Sequence, residues 1–310
     1  MSPTSDRPMP GGEFALAGTT VARMGYGAMQ LEKLSAHPDA AASVLQSALD
    51  AGVNHLDTAE FYGAGFVNDV IGRVVGDRDD VVIATKVGAT TDSDGPLPLR
   101  AAQRPEELRA SVEDNLRSLH RDHLDLVYLR RLDVGPGLSA EGDQAVPLDD
   151  QLDVMTSLRD AGMIGAIGLS AITTDTLRRA LPVGIAAVQN AYSLVERYFE
   201  DMLRLTLAEG IAWVPFFPLG GGFPRYPKVT EQPAVRAAAE RLDASPAQVG
   251  LAWLLQRTPN TLIIPGTSHA AHLAENLATV DVALDPTTLA ELDDLVPVGG
   301  TGIEWVPRSA

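Results

Sequence analysis

Three side chains in the first third of the chain, Asp57, Tyr62 and Lys86, could together move a proton. Lys86 follows Val81-Val-Ile-Ala-Thr85, a run apolar enough to be a buried strand, where an ammonium without a counter-charge would be costly. Asp57 ends an earlier run, Val53–Leu56, and is placed to supply that charge. A tyrosine beside such a pair would have its phenol made more acidic by the ammonium, which eases proton donation near neutral pH. A purely structural ion pair, with Tyr62 an ordinary loop aromatic, accounts for the same spacing equally well. The only lysines are Lys33, Lys86 and Lys228, so basic charge rests on arginine and a lysine closing a buried run calls for a reason.

The elements that must position these groups alternate in kind along the chain. Short β-branched runs are expected as strands at Met24–Tyr26, Val53–Leu56, Val81–Thr85, Leu124–Leu129, Ile164–Leu169, Ala186–Gln189, Ile211–Val214 and Thr261–Ile264. Amphipathic helices separate them: Leu108, Val112, Leu116 and Leu119 recur at helical spacing after Pro105, and Ser245-Pro-Ala-Gln248 reads as a capping box opening a helix. Asp285-Pro286 opens another in the same way. No linker or change of composition divides the chain. The expected fold is therefore α/β, a single-domain (β/α)8 TIM barrel over residues 13–310, preceded by a loose tail over residues 1–12. An open doubly wound sheet would put Gly-x-Gly-x-x-Gly after its first strand, and here that strand leads into Gly27-Ala-Met-Gln30. In a parallel barrel, chemistry sits at the carboxyl ends of strands. Those ends carry Asp57 with Tyr62, Lys86, Arg130 with Arg131, Ser170, and Gln189 with Asn190, and Gly220, Gly221 and Gly222 follow the seventh run.

The composition removes several classes of function. The 310 residues include no cysteine, which excludes disulfides, thiolate catalysis and Cys-ligated zinc. The histidines show no convincing ligand spacing beyond a weak His120/His123 pair, so no metal is expected. A net charge of −17 argues against nucleic acid and against an anionic membrane surface. No apolar run is long enough to span a bilayer, and the first residues lack the apolar core of a signal peptide, so a cytoplasmic protein acting on a small molecule is expected. The sequence is silent on oligomeric state.

Gly52-Val-Asn-His-Leu-Asp57-Thr-Ala-Glu-Phe-Tyr62-Gly63 and Ala84-Thr-Lys86-Val-Gly88 resemble the aspartate/tyrosine and lysine segments of aldo-keto reductases, and the resemblance runs from Met24 to about Val280. It implies a reductase of aldehydes or ketones that uses NADPH, with NADH also allowed. Tyr62 would be the proton donor, tuned by Lys86, itself supported by Asp57. It further implies that Ser170 and Gln189 hold the nicotinamide carboxamide, although the family's usual Ser-Asn is here Ser170-Ala171. Phe216 falls where an aromatic ring stacks on the nicotinamide, and Leu219 and Gly221 fall in the loop over the pyrophosphate, where an ordinary glycine turn is the alternative. Ile264-Pro-Gly-Thr-Ser-His-Ala-Ala-His-Leu-Ala-Glu-Asn276 resembles the segment for the 2′-phosphate and adenine, assigning Gly266, Thr267, Ser268, His272, Glu275 and Asn276 to it. Many members carry Lys in place of Gly266 and Arg in place of His272. Backbone N–H groups near His269, with the Thr267 and Ser268 hydroxyls, can still receive a phosphate. Glu275 on an exposed helix face is the alternative for that residue.

The largest departure is Asp125-Leu-Val-Tyr-Leu-Arg130-Arg-Leu-Asp133, which puts Arg130 where most members have a catalytic His. An arginine stays charged and only donates, so it is no proton source. It would act on the Tyr62 phenol, meet an anionic oxygen of the substrate, or form a structural salt bridge such as one to Asp133. Together with Val214-Pro-Phe-Phe-Pro-Leu-Gly220 and Leu251–Asn260, this Arg resembles the branch that includes bacterial pyridoxal reductases, which implies pyridoxal as a substrate. A tailoring reductase of a ketone, imine or enone, and a non-catalytic nucleotide-sensing barrel, are the other readings.

Overall fold

The computed structural model describes residues 9–295 except 96, 136 and 222–226. The expected tail over residues 1–12 and the span to residue 310 therefore lie partly outside the described residues, as does Gly222. Of the tail, Pro10 and Gly12 accept backbone hydrogen bonds from Met24 and Arg23.

The chain opens with an antiparallel hairpin, β1 (Glu13–Leu16) and β2 (Thr19–Ala22), which the strand readings omitted. Its two-residue loop, Ala17-Gly18, has φ of 50° and 83°, the left-handed pair that matches strand twist in a tight hairpin. Leu16 and Val21 pack with Val82, Leu126, Ala212 and Leu262, so the hairpin lies against the amino-terminal ends of the main strands. Those strands are β3 (Tyr26–Gly27), β4 (His55–Asp57), β5 (Val82–Val87), β8 (Leu124–Arg130), β9 (Ile164–Ser170), β10 (Ile185–Gln189) and β11 (Ala212–Trp213), forming one parallel seven-stranded sheet in the order β3-β4-β5-β8-β9-β10-β11. A second small hairpin, β6 (Ala89–Thr91) with β7 (Leu99–Ala101), sits between β5 and β8 and was also not expected.

Helices α1 (Pro38–Asp50), α2 (Phe66–Val75), α3 (Pro105–Ser118), α4 (Leu148–Asp160), α5 (Thr174–Ala180) and α6 (Glu200–Ala208) connect consecutive sheet strands. Among the described residues four more follow β11: α7 (Pro233–Arg241), α8 (Pro246–Arg257), α9 (Ala270–Leu277) and α10 (Pro286–Asp293). The capping box at α8 forms as read, with Ser245 Oγ accepting from Gln248 N at 3.2 Å and Gln248 Oε1 accepting from Ser245 N at 2.8 Å. Asp285 caps α10 by accepting from Thr287 N and Thr288 N.

The expected eighth strand, Thr261–Ile264, is not a strand. It makes single parallel bridges at the two edges of the sheet, Thr261 to Trp213 and Ile263 to Met24. The run is short: a turn in which Thr261 N donates to Thr258 O precedes it, and Pro265, which has no N–H, follows. The first strand likewise begins two residues later than read, with only an isolated bridge at Met24.

Strand alternation sorts the core into two layers. Val82 and Ala84 of β5, Leu126 and Tyr128 of β8, and Ala187 of β10 share one cluster; Ile83, Val87, Val127, Leu129 and Val188 share another with the helices. Lys86, Arg130 and Gln189 continue the first set at two-residue spacing, so their side chains belong to the inner face at its carboxyl end. His55 shares that face with Asp57. Gly25 makes room for it, since a Cβ there would stand 2.6 Å from His55 O and 2.9 Å from its Nδ1.

Burial lowers the His55 pKa to about 4 from 6.5; Asp57 opposes the shift and Lys86 adds to it. The unfolded chain takes up this proton first as pH falls, so the stabilisation is complete above pH 6.5 and is lost progressively towards pH 4. The loss is on the order of 3 kcal/mol. We expect the melting temperature to fall more steeply over that window in the wild type than in His55→Asn, measured by circular dichroism; parallel curves would contradict it.

Candidate active site

The carboxyl ends of β4 and β5 meet through a buried ion pair. Lys86 Nζ lies 2.6 Å from Asp57 Oδ1 and donates a second hydrogen bond to Thr58 O at 2.9 Å. Burial works against the ammonium, but the Asp57 charge and the interactions with Asp57 and the Tyr62 oxygen outweigh it, and the Lys86 pKa stands above its ordinary value. Lys86 is therefore a fixed cation. Its Nζ stands 5.2 Å from the centroid of the Tyr62 ring.

The Tyr62 loop is shaped by its backbone. Gly63, Ala64 and Gly65 all have positive φ, of 60°, 51° and 86°, and Gly65 N donates to Glu60 O as α2 begins. The loop is tied to the helices behind it by Thr58 Oγ1 donating to Asn68 Oδ1 at 2.8 Å and Asn68 Nδ2 donating to Asn115 Oδ1 at 3.0 Å. Thr85 Oγ1 donates to the same Asn115 oxygen, so the segments holding Asp57 and Lys86 are anchored to one amide.

Sheet register sets Arg130 opposite Ser170, and Ser170 opposite Gln189. Gln189 Nε2 donates to Asp57 Oδ2 at 2.5 Å, an orientation that the acceptor-only carboxylate forces. Its Oε1 is thereby left as a buried acceptor without a partner. The loop after β9 is held by Asn190, whose side chain accepts from Ile172 N and donates to Ile172 O. Asn190 is thus a scaffold residue. Ala171, between Ser170 and that clasp, has φ of 54°.

Arg130 and Arg131 separate as alternation requires. Arg131 Nε pairs with Asp133 Oδ1 at 3.0 Å and its guanidinium donates to Gln151 Oε1 at 2.6 Å. The salt bridge considered for Arg130 belongs to its neighbour. Burial lowers the Arg130 pKa, with the Tyr62 oxygen opposing that shift. Gln103 Nε2 donates to Arg130 O at 2.7 Å and to Gly88 O at 2.5 Å, fixing the ends of β8 and β5 together. Sequence reading missed Gln103, and nothing in its spacing marks it. It also missed Tyr128 and His55, which alternation places directly beneath Arg130 and Asp57. Burial, then the Asp57 charge, pushes the Tyr128 pKa well above its ordinary value. Gly168 leaves space for that ring.

The remaining assigned residues lie in the loops that follow. Phe216 is bridged to Ala191 and meets Phe217 edge-on at 5.2 Å. Leu219 O accepts from Val229 N at 3.0 Å, and Gly221, at φ of 71°, has Lys228 Cγ where a Cβ would sit 2.8 Å away. Gly266 abuts Gly27, and a Cβ there would stand close against Gly27 O. The backbone contact explains why no lysine stands at this position. Thr267 is buried, its carbonyl accepting from Tyr26 Oη at 2.5 Å and its Oγ1 from His269 N at 3.1 Å. Ser268 is half-buried beside it. His272 is exposed, 5.4 Å from His269 between ring centroids. Glu275 and Asn276 are half-buried on α9, with Glu275 O accepting from Gln248 Nε2.

The site holds a proton-bearing phenol, a fixed ammonium against it, a second cation, and beside them a buried amide acceptor. The model of the aldo/keto reductase family matches residues 23–297. The chain belongs to that family. Pyridoxine 4-dehydrogenase of Escherichia coli (strain K12) is 40% identical over 91% of this chain and 97% of its own length. A probable aldo-keto reductase 1 of Glycine max is 31% identical over 91% of this chain and 87% of its own. An aldo/keto reductase from Klebsiella pneumoniae, crystallised with NADP and acetate, superposes with a TM-score of 0.76 at 25% identity, covering 94% of this chain and 96% of that one. As an aldo/keto reductase the protein is an oxidoreductase interconverting carbonyls and alcohols. Among the described residues no helix is long and apolar enough to cross a membrane.

Ala171 occupies the left-handed region at a position where the family's asparagine would be at ease and alanine is strained. We expect Ala171→Asn to gain about 1 kcal/mol and raise the melting midpoint by about 2 °C. A lowered midpoint in differential scanning calorimetry would contradict this account of the loop.

Proposed function

We propose that this protein is an NADPH-dependent carbonyl reductase in which Tyr62 donates the proton. The observation that carries this reading is the Lys86 ammonium, held by Asp57 at 2.6 Å and set 5.2 Å from the Tyr62 ring centroid. NADPH when bound supplies the hydride to the carbonyl carbon. The residues fit that group. Gln189 offers a buried acceptor with no partner, as a carboxamide N–H requires, and Ser170 neighbours it in register. Phe216 would offer a ring for stacking, and Leu219 with Gly221, at positive φ, would supply backbone to the loop over the pyrophosphate. Thr267, Ser268 and the start of α9 offer donors to the 2′-phosphate, with His272, Glu275 and Asn276 along the same helix. NADPH use is supported by the NADP bound to the Klebsiella relative.

The chain's own part in the reaction is proton delivery and charge control. The phenolic proton of Tyr62 passes to the carbonyl oxygen, and the phenolate left behind is stabilised by the adjacent ammonium, which Asp57 keeps in place. Gln189 keeps Asp57 on its amide N–H and would offer Oε1 to the carboxamide of the cofactor. We further propose that Thr261–Ile263, bridged to both edges of the sheet, closes it into an eight-unit barrel. Pyridoxal is the substrate we favour, supported by the 40% identity to pyridoxine 4-dehydrogenase.

Tyr62→Phe should lower kcat for aldehyde reduction by at least about 100-fold. NADPH affinity should stay within about twofold, since the hydroxyl acts in the transition state. Loss of NADPH absorbance measures the first and fluorescence titration the second. A variant that keeps half its rate would remove Tyr62 from this role, and NADPH binding by wild type without turnover of any carbonyl would favour a nucleotide sensor. Wild type that reduces simple aldehydes but not pyridoxal would overturn the substrate assignment alone.

A further inference from the structure

The charges at the inner mouth do not balance. Lys86 and Arg130 are both cations, and the one carboxylate of the constellation, Asp57, is already engaged through Oδ1 by Lys86 and through Oδ2 by Gln189. Among the described residues the Arg130 guanidinium has neither an ion pair nor a hydrogen bond. Asp133, the carboxylate nearest in sequence, is taken by Arg131 on the opposite face of the strand and by Thr176 Oγ1 at 2.7 Å. The backbone at Arg130 is also held firmly, by Gln103 and by the pairing with β9. A surplus positive charge in a protein of net charge −17 thus stands on the inner face at the end of β8, near enough to Tyr62 for the two to interact electrostatically. A desolvated cation costs free energy unless a counter-charge arrives, and a guanidinium is built to receive planar anions through parallel N–H donors.

We propose that Arg130 is the anchor for an anionic oxygen on the substrate, so that the substrates are carbonyl compounds bearing a carboxylate or phenolate close to the carbonyl group. The inference rests on the carbonyl-reductase reading above. Because Arg130 and Tyr62 share the mouth at the carboxyl ends of the strands, an oxygen held by the guanidinium would bring a neighbouring carbonyl towards the phenolic proton. The anion would fix orientation while Tyr62 performs the proton transfer, making Arg130 a determinant of specificity. A role confined to Tyr62 would affect all substrates alike.

The test compares matched substrates, 2-hydroxybenzaldehyde with benzaldehyde and succinic semialdehyde with butanal, in wild type, Arg130→Met and Arg130→Lys, with NADPH. The expected result is that Arg130→Met loses roughly ten- to hundredfold more in kcat/KM on the anionic member of each pair than on the neutral one. Arg130→Lys should recover part of that difference. For the phenol pair, the wild-type preference should grow as pH rises through the ionisation of the substrate hydroxyl. A second readout needs no turnover: benzoate should bind the wild-type protein–NADP complex, followed by fluorescence, and bind Arg130→Met at least about tenfold more weakly. Equal losses on charged and neutral substrates, with benzoate binding unchanged, would overturn the inference and leave the reductase reading intact. Absence of turnover in wild type, with benzoate binding lost in Arg130→Met, would overturn the reductase reading and leave the anion site standing.

Discussion

One buried ion pair sets the terms for everything around it. An ammonium placed at the end of an apolar strand is tolerable only with its carboxylate at hydrogen-bond distance, and removal of either partner strands the other in a medium that solvates it poorly. Asp57 and Lys86 meet this condition through adjacent parallel strands whose register leaves little freedom. Tyr62 is then presented to the pair by a loop that three consecutive left-handed residues bend and that Thr58, Asn68 and Asn115 secure from behind. The chemistry is positioned by strands and helices and only completed by loops.

The same economy of charge explains the neighbours. Gln189 gives its amide N–H to Asp57 and so keeps its Oε1 as a buried acceptor, which is the polarity a carboxamide needs. Arg131 takes the local carboxylate, and Arg130 is left as the mouth's free cation among the described residues. Beneath them, His55 and Tyr128 occupy positions that Gly25 and Gly168 keep open. His55 stays neutral in the folded protein near pH 7 because burial disfavours its charged form, and Tyr128 keeps its proton for the same reason. The layer under the ion pair is polar yet uncharged.

Much of this was legible in the sequence because it depends on local pattern. The central runs fell within a residue or two of β5, β8, β9 and β10, since fully apolar β-branched runs between amphipathic helices have few other places to go. The capping box at Ser245 and the cap at Asp285 were likewise local, and they formed. The ends of the sheet were less legible: Thr261–Ile264 has strand composition, but whether it pairs is decided by a turn on one side and Pro265 on the other. The two hairpins were missed because their strands are three or four residues long and carry no sustained alternation. Gln103 holds β8 to β5 through backbone carbonyls, a role without a residue-type signature. Gly266 instructs in the opposite way: a missing cation in the sequence becomes a steric necessity once Gly27 O is seen against it.

The central claim is that the Lys86 charge, not merely the Tyr62 hydroxyl, makes proton transfer possible. Single-turnover oxidation of bound NADPH in Lys86→Met, at saturating aldehyde and with the fold confirmed by circular dichroism, tests it most directly. The account predicts a rate at least about 100-fold below wild type with NADPH affinity nearly unchanged. A rate within about twofold of wild type would contradict it, and the ion pair would then be scaffold alone.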